Sequence, residues 1–457
     1  MAQEEDGLVV SRLFRFGWLI HPEDEVPPGN AWRRCVATWK YISVDGLSVW
    51  MHPECSWKLT PEVLILGDAF AIERNLEETL AKRDWDNLSG RYVAITRGDE
   101  PYLQQDPFGS RSVFYREGAL ALSSHAELLG RSFGDRTNAA AKQLLDTREY
   151  KSRTVKYLPG DITMYDGVFG LAPNHRYYFR NQKVKRYWPL SERKITLYSE
   201  AEEAAVKYLS ALASNVDLPI LSVTGGIDCR LLLAGFLASK APFRAVTWEG
   251  NWIEKNELPI VQKICGRFSL NHVWMPQQAS ADDPIALLSK RNSGGFRGPS
   301  RLSADMARNF SRGTFIRGYG GEIMRGFYNL RQNEMSGVTP EYLARLYNSS
   351  GKTKLDECSA YGRCAIGAFE GFIDRADYSD MRGYDVRDIF YWEHRMGMWG
   401  AAMLNEMDAA VYSISGLNSR EMFAKALGMP PGERLNKEFL QKISIRIENG
   451  FESIGFV

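Results

Sequence analysis

Residues 221–233 read Leu221-Ser222-Val223-Thr224-Gly225-Gly226-Ile227-Asp228-Cys229-Arg230-Leu231-Leu232-Leu233. A short apolar run passes through paired glycines into a second apolar run, the pattern of a strand, a tight turn and a helix. At such a junction unpaired backbone N–H groups project from the helix N-terminus, where donors and helix dipole together favour an anion. Gly225 and Gly226 lack the Cβ that would hold a phosphate away from main chain, and Asp228 offers a carboxylate for a magnesium ion on that phosphate. No Gly-Lys-Ser/Thr follows, so this is not a Walker loop. The third glycine of a dinucleotide fingerprint is also missing.

Outward from this loop, strands are expected at 219–223, 243–248 and 272–275, with helices at 229–239 and near 257–268. Alternation at this period predicts βαβ units and a parallel sheet, whose ligands bind beyond the carboxyl ends of the strands. Ser199-x-x-Glu202 reads as a capping box opening a helix that carries Ala205, Val206, Leu209, Leu212 and Ala213. From about residue 340 the pattern is mostly helical. The first 190 residues differ. Aromatic and β-branched runs at 9–20, 36–42, 46–51, 92–96, 101–105, 112–115 and 120–123 lie between turn signals such as Asp106-Pro107-Phe108-Gly109. One helix is expected at 75–83. The expectation is therefore α/β and α+β: layered antiparallel sheets over 1–190, a linker near 189–194, and a parallel-sheet domain over 195–457 with a helical end.

A chain of 457 residues exceeds one ordinary core. Its 57 basic and 56 acidic residues leave a formal charge of +1, which excludes the charge signature of nucleic-acid or anionic-membrane binding. Apolar runs such as 63–66 fall far short of the roughly 20 residues that span a bilayer. The Met-Ala-Gln-Glu-Glu-Asp start is acidic where a signal peptide is basic. Six cysteines (Cys35, Cys55, Cys229, Cys265, Cys358, Cys364) include no C-x-x-C pair, and the six histidines show no zinc spacing. A reducing cytoplasm is the expected home. Oligomeric state is not legible, and a homodimer stays open.

The loop resembles the Ser-Gly-Gly-x-Asp-Ser pyrophosphate loop of N-type ATP pyrophosphatases. Other segments extend the likeness. Leu88-Ser-Gly-Arg-Tyr-Val-Ala-Ile95, Asp106-Pro-Phe-Gly-Ser-Arg-Ser-Val-Phe-Tyr115 and Ser123-Ser-His-Ala-Glu-Leu-Leu129 resemble successive strands of the glutaminase-type (Ntn) domain of asparagine synthetases. Leu158-Pro-Gly-Asp161 and Arg186-Tyr-Trp188 resemble the segments closing that domain. Gly318-Tyr-Gly-Gly-Glu-Ile-Met-Arg-Gly-Phe-Tyr328 resembles the second signature, Gly-Asp-Gly-x-Asp-Glu-x-x-Gly-Gly-Tyr. The order is the family's along nearly the whole chain, which on these residues is identified as a member of the asparagine synthetase/β-lactam synthetase family. Glutamine users need a cysteine directly after the initiator Met. Here Ala2 stands there, and Cys35 is expected inside a strand, so the Ntn-like domain is expected to be an inactive scaffold.

The resemblance implies the site. ATP with Mg2+ would lie on Ser222, Thr224, Gly225, Gly226, Asp228 and Cys229, with Val246, Thr247 and Gly318 near the nucleotide. Asp228 and Glu322 would hold the metal. Tyr319, in place of the family's Asp, resembles the β-lactam synthetase tyrosine that works with a carboxylate to deprotonate the attacking amine; Glu393, or Asp380 instead, is the expected partner. Lys437, or Arg434, would stabilise charge on the acyl-adenylate. Cys229 donates weakly, and Arg230 either clamps phosphate or points to solvent. Glu257 matches an acidic family position, His272 reads as structural, and 293–300 reads as a connector that by position could border the acyl site.

The implied activity is glutamine-independent amide-bond formation: a small-molecule or peptide carboxylate is adenylated, pyrophosphate leaves, and an amine displaces AMP. β-Lactam-synthetase-like cyclisation in natural-product (antibiotic) biosynthesis leads. Intermolecular synthesis with ammonia or an amine, a lasso-type peptide macrolactam cyclase and a catalytically dead scaffold remain alternatives.

Overall fold

A one-residue alternation of apolar side chains builds the front of the molecule. In the computed structural model, which describes residues 11–29, 33, 36–249, 257–328, 337–435 and 437–455, strands β1 (Trp18–Pro22), β2 (Lys40–Val44), β3 (Leu47–Met51), β4 (Trp57–Leu59), β5 (Val63–Ala71), β6 (Leu88–Thr96), β7 (Tyr102–Gln105), β8 (Phe114–Arg116), β9 (Leu122–Ser123), β10 (Val168–Gly170), β11 (His175–Tyr178) and β12 (Lys183–Arg186) form two antiparallel six-stranded sheets. Their orders are β10-β8-β9-β1-β3-β2 and β12-β11-β7-β6-β5-β4. Leu64, Leu66, Val93 and Ile95 of β5 and β6 meet Trp18, Ile20, Val49 and Met51 of the facing sheet in one core. The alternate residues Val63, Ile65, Tyr92 and Ala94 point outward, where the helix Leu76–Ala81 and Trp85 cover them.

Two expected strands shrink. Residues 11–16 are helical turn, with Phe14 and Phe16 at φ 54° and 59°, left-handed values that end an extended run. Residues 9 and 10 lie outside the described set. Of the strand expected at 36–42, residues 36–39 form a turn whose Val36 and Trp39 pack with Leu13, Phe14 and Leu19. Cys35 and Ala2 lie outside the described residues.

The back of the molecule follows the βαβ expectation. Strands β13 (Pro219–Ser222), β14 (Arg244–Glu249), β15 (His272–Pro276), β16 (Thr314–Arg317) and β17 (Tyr412–Ser415) form an all-parallel sheet in the order β15-β14-β13-β16-β17. The chain runs outward from β13 to β15, then returns to place β16 on the other side of β13. That reversal puts a crevice between the ends of β13 and β16. Helix Ile227–Ser239 buries nearly its whole first three turns, as its apolar sequence requires. The preceding helix starts at Tyr198, and its capping acid is Glu200, whose Oε2 accepts from the Leu197 N–H at 2.9 Å. Ser199 is therefore inside the helix. Glu202 is buried against Arg446, Nη1 to Oε2 2.7 Å, because the helix face it occupies packs on the C-terminal helix.

The last third is mostly helix, as expected. It includes a ten-residue π-helical stretch, Tyr391–Gly400, leading into Ala401–Met407. Front and back meet along a buried polar seam. Arg91 of β6 pairs with Asp408 at 2.6 Å and donates to Asn405 Oδ1 at 2.7 Å and Ser413 O at 3.0 Å. Arg375 pairs with Asp161 at 2.6 Å. Among the described residues no helix is long and apolar enough to cross a membrane.

Candidate functional site

Gly226 caps helix Ile227–Ser239 in an extended conformation, so the loop after β13 opens at the carboxyl edge of the sheet. The loop amides are held by side chains: Gly226 N–H donates to Thr224 Oγ1 at 3.1 Å and Gly225 N–H to Glu257 Oε2 at 3.3 Å. Asp228 sits in the first helical turn, buried, with Oδ1 lacking a hydrogen-bond partner. β16 lies alongside β13 with Ile316 opposite Leu221, which brings the turn Gly318-Tyr319-Gly320-Gly321-Glu322 beside the glycine loop. The approach is close. A Cβ on Gly321 would lie 1.9 Å from Asp228 Oδ1, and one on Gly318 would lie 2.9 Å from Cys229 Sγ. Gly320 turns the chain at φ +107°.

Asp228 and Glu322 thereby share one small site. Burial pushes the Asp228 carboxyl well above the ordinary carboxylate range, the nearby Glu322 charge pushes it further, and Arg325 opposes both. The Arg325 guanidinium stands 3.7 Å from Asp228 and 3.0 Å from Glu322. Two facing carboxylates, one with an orphaned oxygen, suit a hard cation whose other ligands are phosphate and water oxygens. No group of three or more His, Cys, Asp or Glu side chains suited to a metal exists among the described residues.

The other loop residues divide. The Cys229 thiol is pushed up to about 11 by burial, hence neutral and a weak donor. Arg230 neither clamps phosphate nor reaches solvent. It is 1% exposed and turned behind the loop, donating to Gly225 O at 3.1 Å and Ile454 O at 3.4 Å. Its place in the buried first turn of a mostly apolar helix explains this. Thr247 points inward, its Oγ1 donating to Val223 O at 2.7 Å and lying 2.9 Å from His272 Nε2. His272 is thus a strand-to-strand tie.

A cleft of about 530 Å3 opens at the ends of β13–β16, within the ordinary range of ligand sites. Ser222, Thr224 and Val246 line one side, and Tyr319, Trp399 and Glu406 another. Residues 297–300 line it too, so the second half of the segment 293–300 is cleft wall as well as connector. The Arg317 guanidinium lies 4.6 Å from the Tyr319 ring centre, and Trp399 lies 5.6 Å from it. Burial raises the Tyr319 phenol. Arg317 and Arg297 pull it down, while Glu406 and Glu322 push it up.

The expected partners of Tyr319 are elsewhere. Glu393 is fully buried at the seam, accepting from Arg186 Nη2 at 2.9 Å and Asn174 Nδ2 at 3.0 Å. Asp380 is exposed and pairs with Arg382 at 3.2 Å. Glu393 lies on the π-helical stretch 391–400, whose winding differs from the 3.6-residue pitch. The carboxylate in the cleft with Tyr319 is Glu406, 2% exposed and joined to Arg297 Nε at 3.0 Å. Its only sequence signal is a single acid inside the apolar run 401–407. Lys437 is exposed at the N-terminus of helix Glu438–Ile447 and is not among the cleft-lining residues. Arg434 is buried in an ion pair with Asp388 and donates to Met324 O at 3.3 Å. Neither faces the cleft, because the tight turn 431–434 winds that segment against the helix behind Glu322.

No protein-family model matches this chain, and no curated protein matches it.

Proposed function

We propose that the chain is a glutamine-independent, magnesium-ATP-dependent ligase that activates a substrate carboxylate by adenylation and passes it to an amine. The observation that carries this reading is the meeting of Asp228 and Glu322 across the β13–β16 crevice, beside a glycine turn at a helix N-terminus. Two loops far apart in sequence converge on a pair of carboxylates that repel each other, an arrangement that a cation-bound phosphate would relieve.

ATP supplies the leaving group, and magnesium neutralises charge on it. The chain positions and polarises. Gly225 and Gly226 would exchange Glu257 and Thr224 for phosphate oxygens, and Asp228 and Glu322 would hold the metal. A carboxylate oxygen attacks the α-phosphorus and the bond to pyrophosphate breaks. The amine then forms its bond to the acyl carbon, AMP leaves with the shared oxygen, and the amine proton passes to the Tyr319 oxygen as the phenolic proton moves on to the Glu406 carboxylate. Tyr319 lies in the cleft with Arg317 beside it to offset the cost of ionising a buried phenol. The front sheets, of the layered kind seen in Ntn folds, serve as a scaffold joined through Arg91–Asp408.

Pyrophosphate release measured over a panel of carboxylic acids, with and without amines, tests the reading. Wild type is expected to release pyrophosphate with at least one acid, and Asp228→Ala to lose this by a factor of a hundred or more, about 2.7 kcal/mol at 1.36 kcal/mol per tenfold. Release that survives in Asp228→Ala overturns the assignment. A cyclic product from acid alone identifies an intramolecular amine; a linear product identifies a second substrate.

A further inference from the structure

We infer that the acid taken by this cleft carries a large apolar body and that Arg317 receives its carboxylate. The inference rests on the ligase reading above and adds the class of its acyl substrate.

The wall away from the glycine loop consists of Trp248, Met275, Met306, Phe315, Trp399 and Met403. Three of these six are methionines, whose unbranched thioethers adapt to varied apolar shapes. Met275, Met306, Phe315 and Met403 are already buried, and Trp248 and Trp399 are the half-buried members of this wall. Against such a lining a small polar acid would leave its own polar groups without partners, whereas a bulky aliphatic or aromatic body would pack on it and cover the two indoles.

The charged groups are arranged for one anion. Arg297 is occupied by Glu406 at 3.0 Å, and Arg301 is exposed at the rim. Arg317 remains. Its Nη1 is buried without a hydrogen-bond partner, and no carboxylate among the described residues pairs with it. It stacks on Tyr319 at 4.6 Å and Phe315 at 5.8 Å, which fixes the plane of the guanidinium. A planar fork of this kind matches a carboxylate in a bidentate manner. Position matters equally. Ile316 is opposite Leu221, so Arg317 leaves β16 one strand spacing from Ser222, where the glycine loop begins. A carboxylate on Arg317 therefore stands next to the phosphate site, with Tyr319 beside it and the apolar wall beyond.

The test uses the full chain and the indole fluorescence of the cleft tryptophans, with Trp399→Phe assigning the signal. 4-Phenylbutyrate, its neutral amide and aspartate are titrated, with and without magnesium and a non-hydrolysable ATP analogue. The expected result is saturable binding of 4-phenylbutyrate at least tenfold tighter than the amide or aspartate. Arg317→Gln should lose at least tenfold for the acid and little for the amide, and Arg317→Lys should recover part of the loss. Should Arg317→Gln melt early, Met403→Asp replaces it, and a tenfold loss of acid affinity is expected from the charge on the apolar wall. Equal binding of acid and amide, or tighter binding of aspartate, overturns the inference. Calorimetry with magnesium-ATP alone keeps the two ideas apart. Absent nucleotide binding with the acid still bound sinks the ligase reading, whereas nucleotide binding without acid preference sinks only this one.

Discussion

Replacing Arg325 with Met should make the protein's stability depend on pH and on magnesium in a way the wild type does not. Arg325 lies 3.7 Å from the buried Asp228 and 3.0 Å from Glu322. With an effective dielectric near 20, these contacts carry roughly 4 to 6 kcal/mol of gross attraction each. Desolvation takes back most of it, and removing one partner from a buried charge cluster leaves a net loss of about 3 kcal/mol. The two carboxylates can limit that loss by taking up a proton. Asp228 is already raised above the ordinary carboxylate range, and losing the one cation that lowers it raises it further. An acid with a raised folded pKa binds its proton more tightly when folded, so stability declines as pH climbs from the unfolded value through the folded one. Thermal melts at pH 5, 6.5 and 8 with and without 10 mM MgCl2 read this out. Arg325→Met should melt near wild type at pH 5 and several degrees lower at pH 8. Magnesium should close the gap at pH 8 and move wild type less, because the variant's site carries one more net negative charge. A gap of the same size at every pH, unmoved by magnesium, would refute the picture of Asp228 and Glu322 as a shared cation site.

Three further outcomes follow from single distances or burials. Gly321→Ala puts a methyl 1.9 Å from Asp228 Oδ1, so Asp228 must move, the melting temperature should fall, and magnesium-ATP affinity of the folded variant by calorimetry should fall at least tenfold; unchanged affinity would separate Asp228 from the nucleotide. Asp408→Ala strands the fully buried Arg91 and should cost about 3–5 kcal/mol in urea unfolding, with a loss below 1 kcal/mol contradicting the seam. His394 is fully buried, stacked on Phe390 at 4.7 Å, and burial lowers it to about 3. Its neutral form supports the fold fully above the unfolded value near 6.5, and this support is lost as pH falls toward 3, about 2 kcal/mol of it by pH 5. His394→Phe should flatten that acid slope in urea titrations; an unchanged slope assigns it to other groups.

The front sheets were legible in part: aromatic and β-branched runs such as 46–51 and 92–96 marked strands, whereas 63–71 and the strands over 168–186 were not expected, and only the packed sheets show which face of each strand is buried. The two strand errors at 9–20 and 36–42 share a cause. Aromatic-rich stretches there satisfy strand propensity, yet Phe14 and Phe16 adopt left-handed conformations, Phe14 packing with Leu13, Val36 and Trp39 and Phe16 against Tyr412 at 4.9 Å, and packing overrides propensity. In the candidate site, the two glycine turns were singled out because turn chemistry is local, and 293–300 was placed near it by position. Glu406 and Arg317 were not singled out, because they owe their place to helix winding and strand order.

From the chain alone came the parallel-sheet arrangement of the back half, the expectation of an anion-binding turn at 224–229 and the candidacy of Asp228, while Glu322 became a candidate through the family resemblance. The first three depend on short-range patterns: hydrophobic period, glycine placement and a carboxylate at a helix start. Tertiary structure decided which carboxylate joins Tyr319 in the cleft, that Arg230 supports the loop from behind, and that Lys437 stands away. These are matters of direction. A side chain's heading depends on the pitch of its helix and on which strand lies next to which, and β16 beside β13 is a choice made by the packed core as a whole.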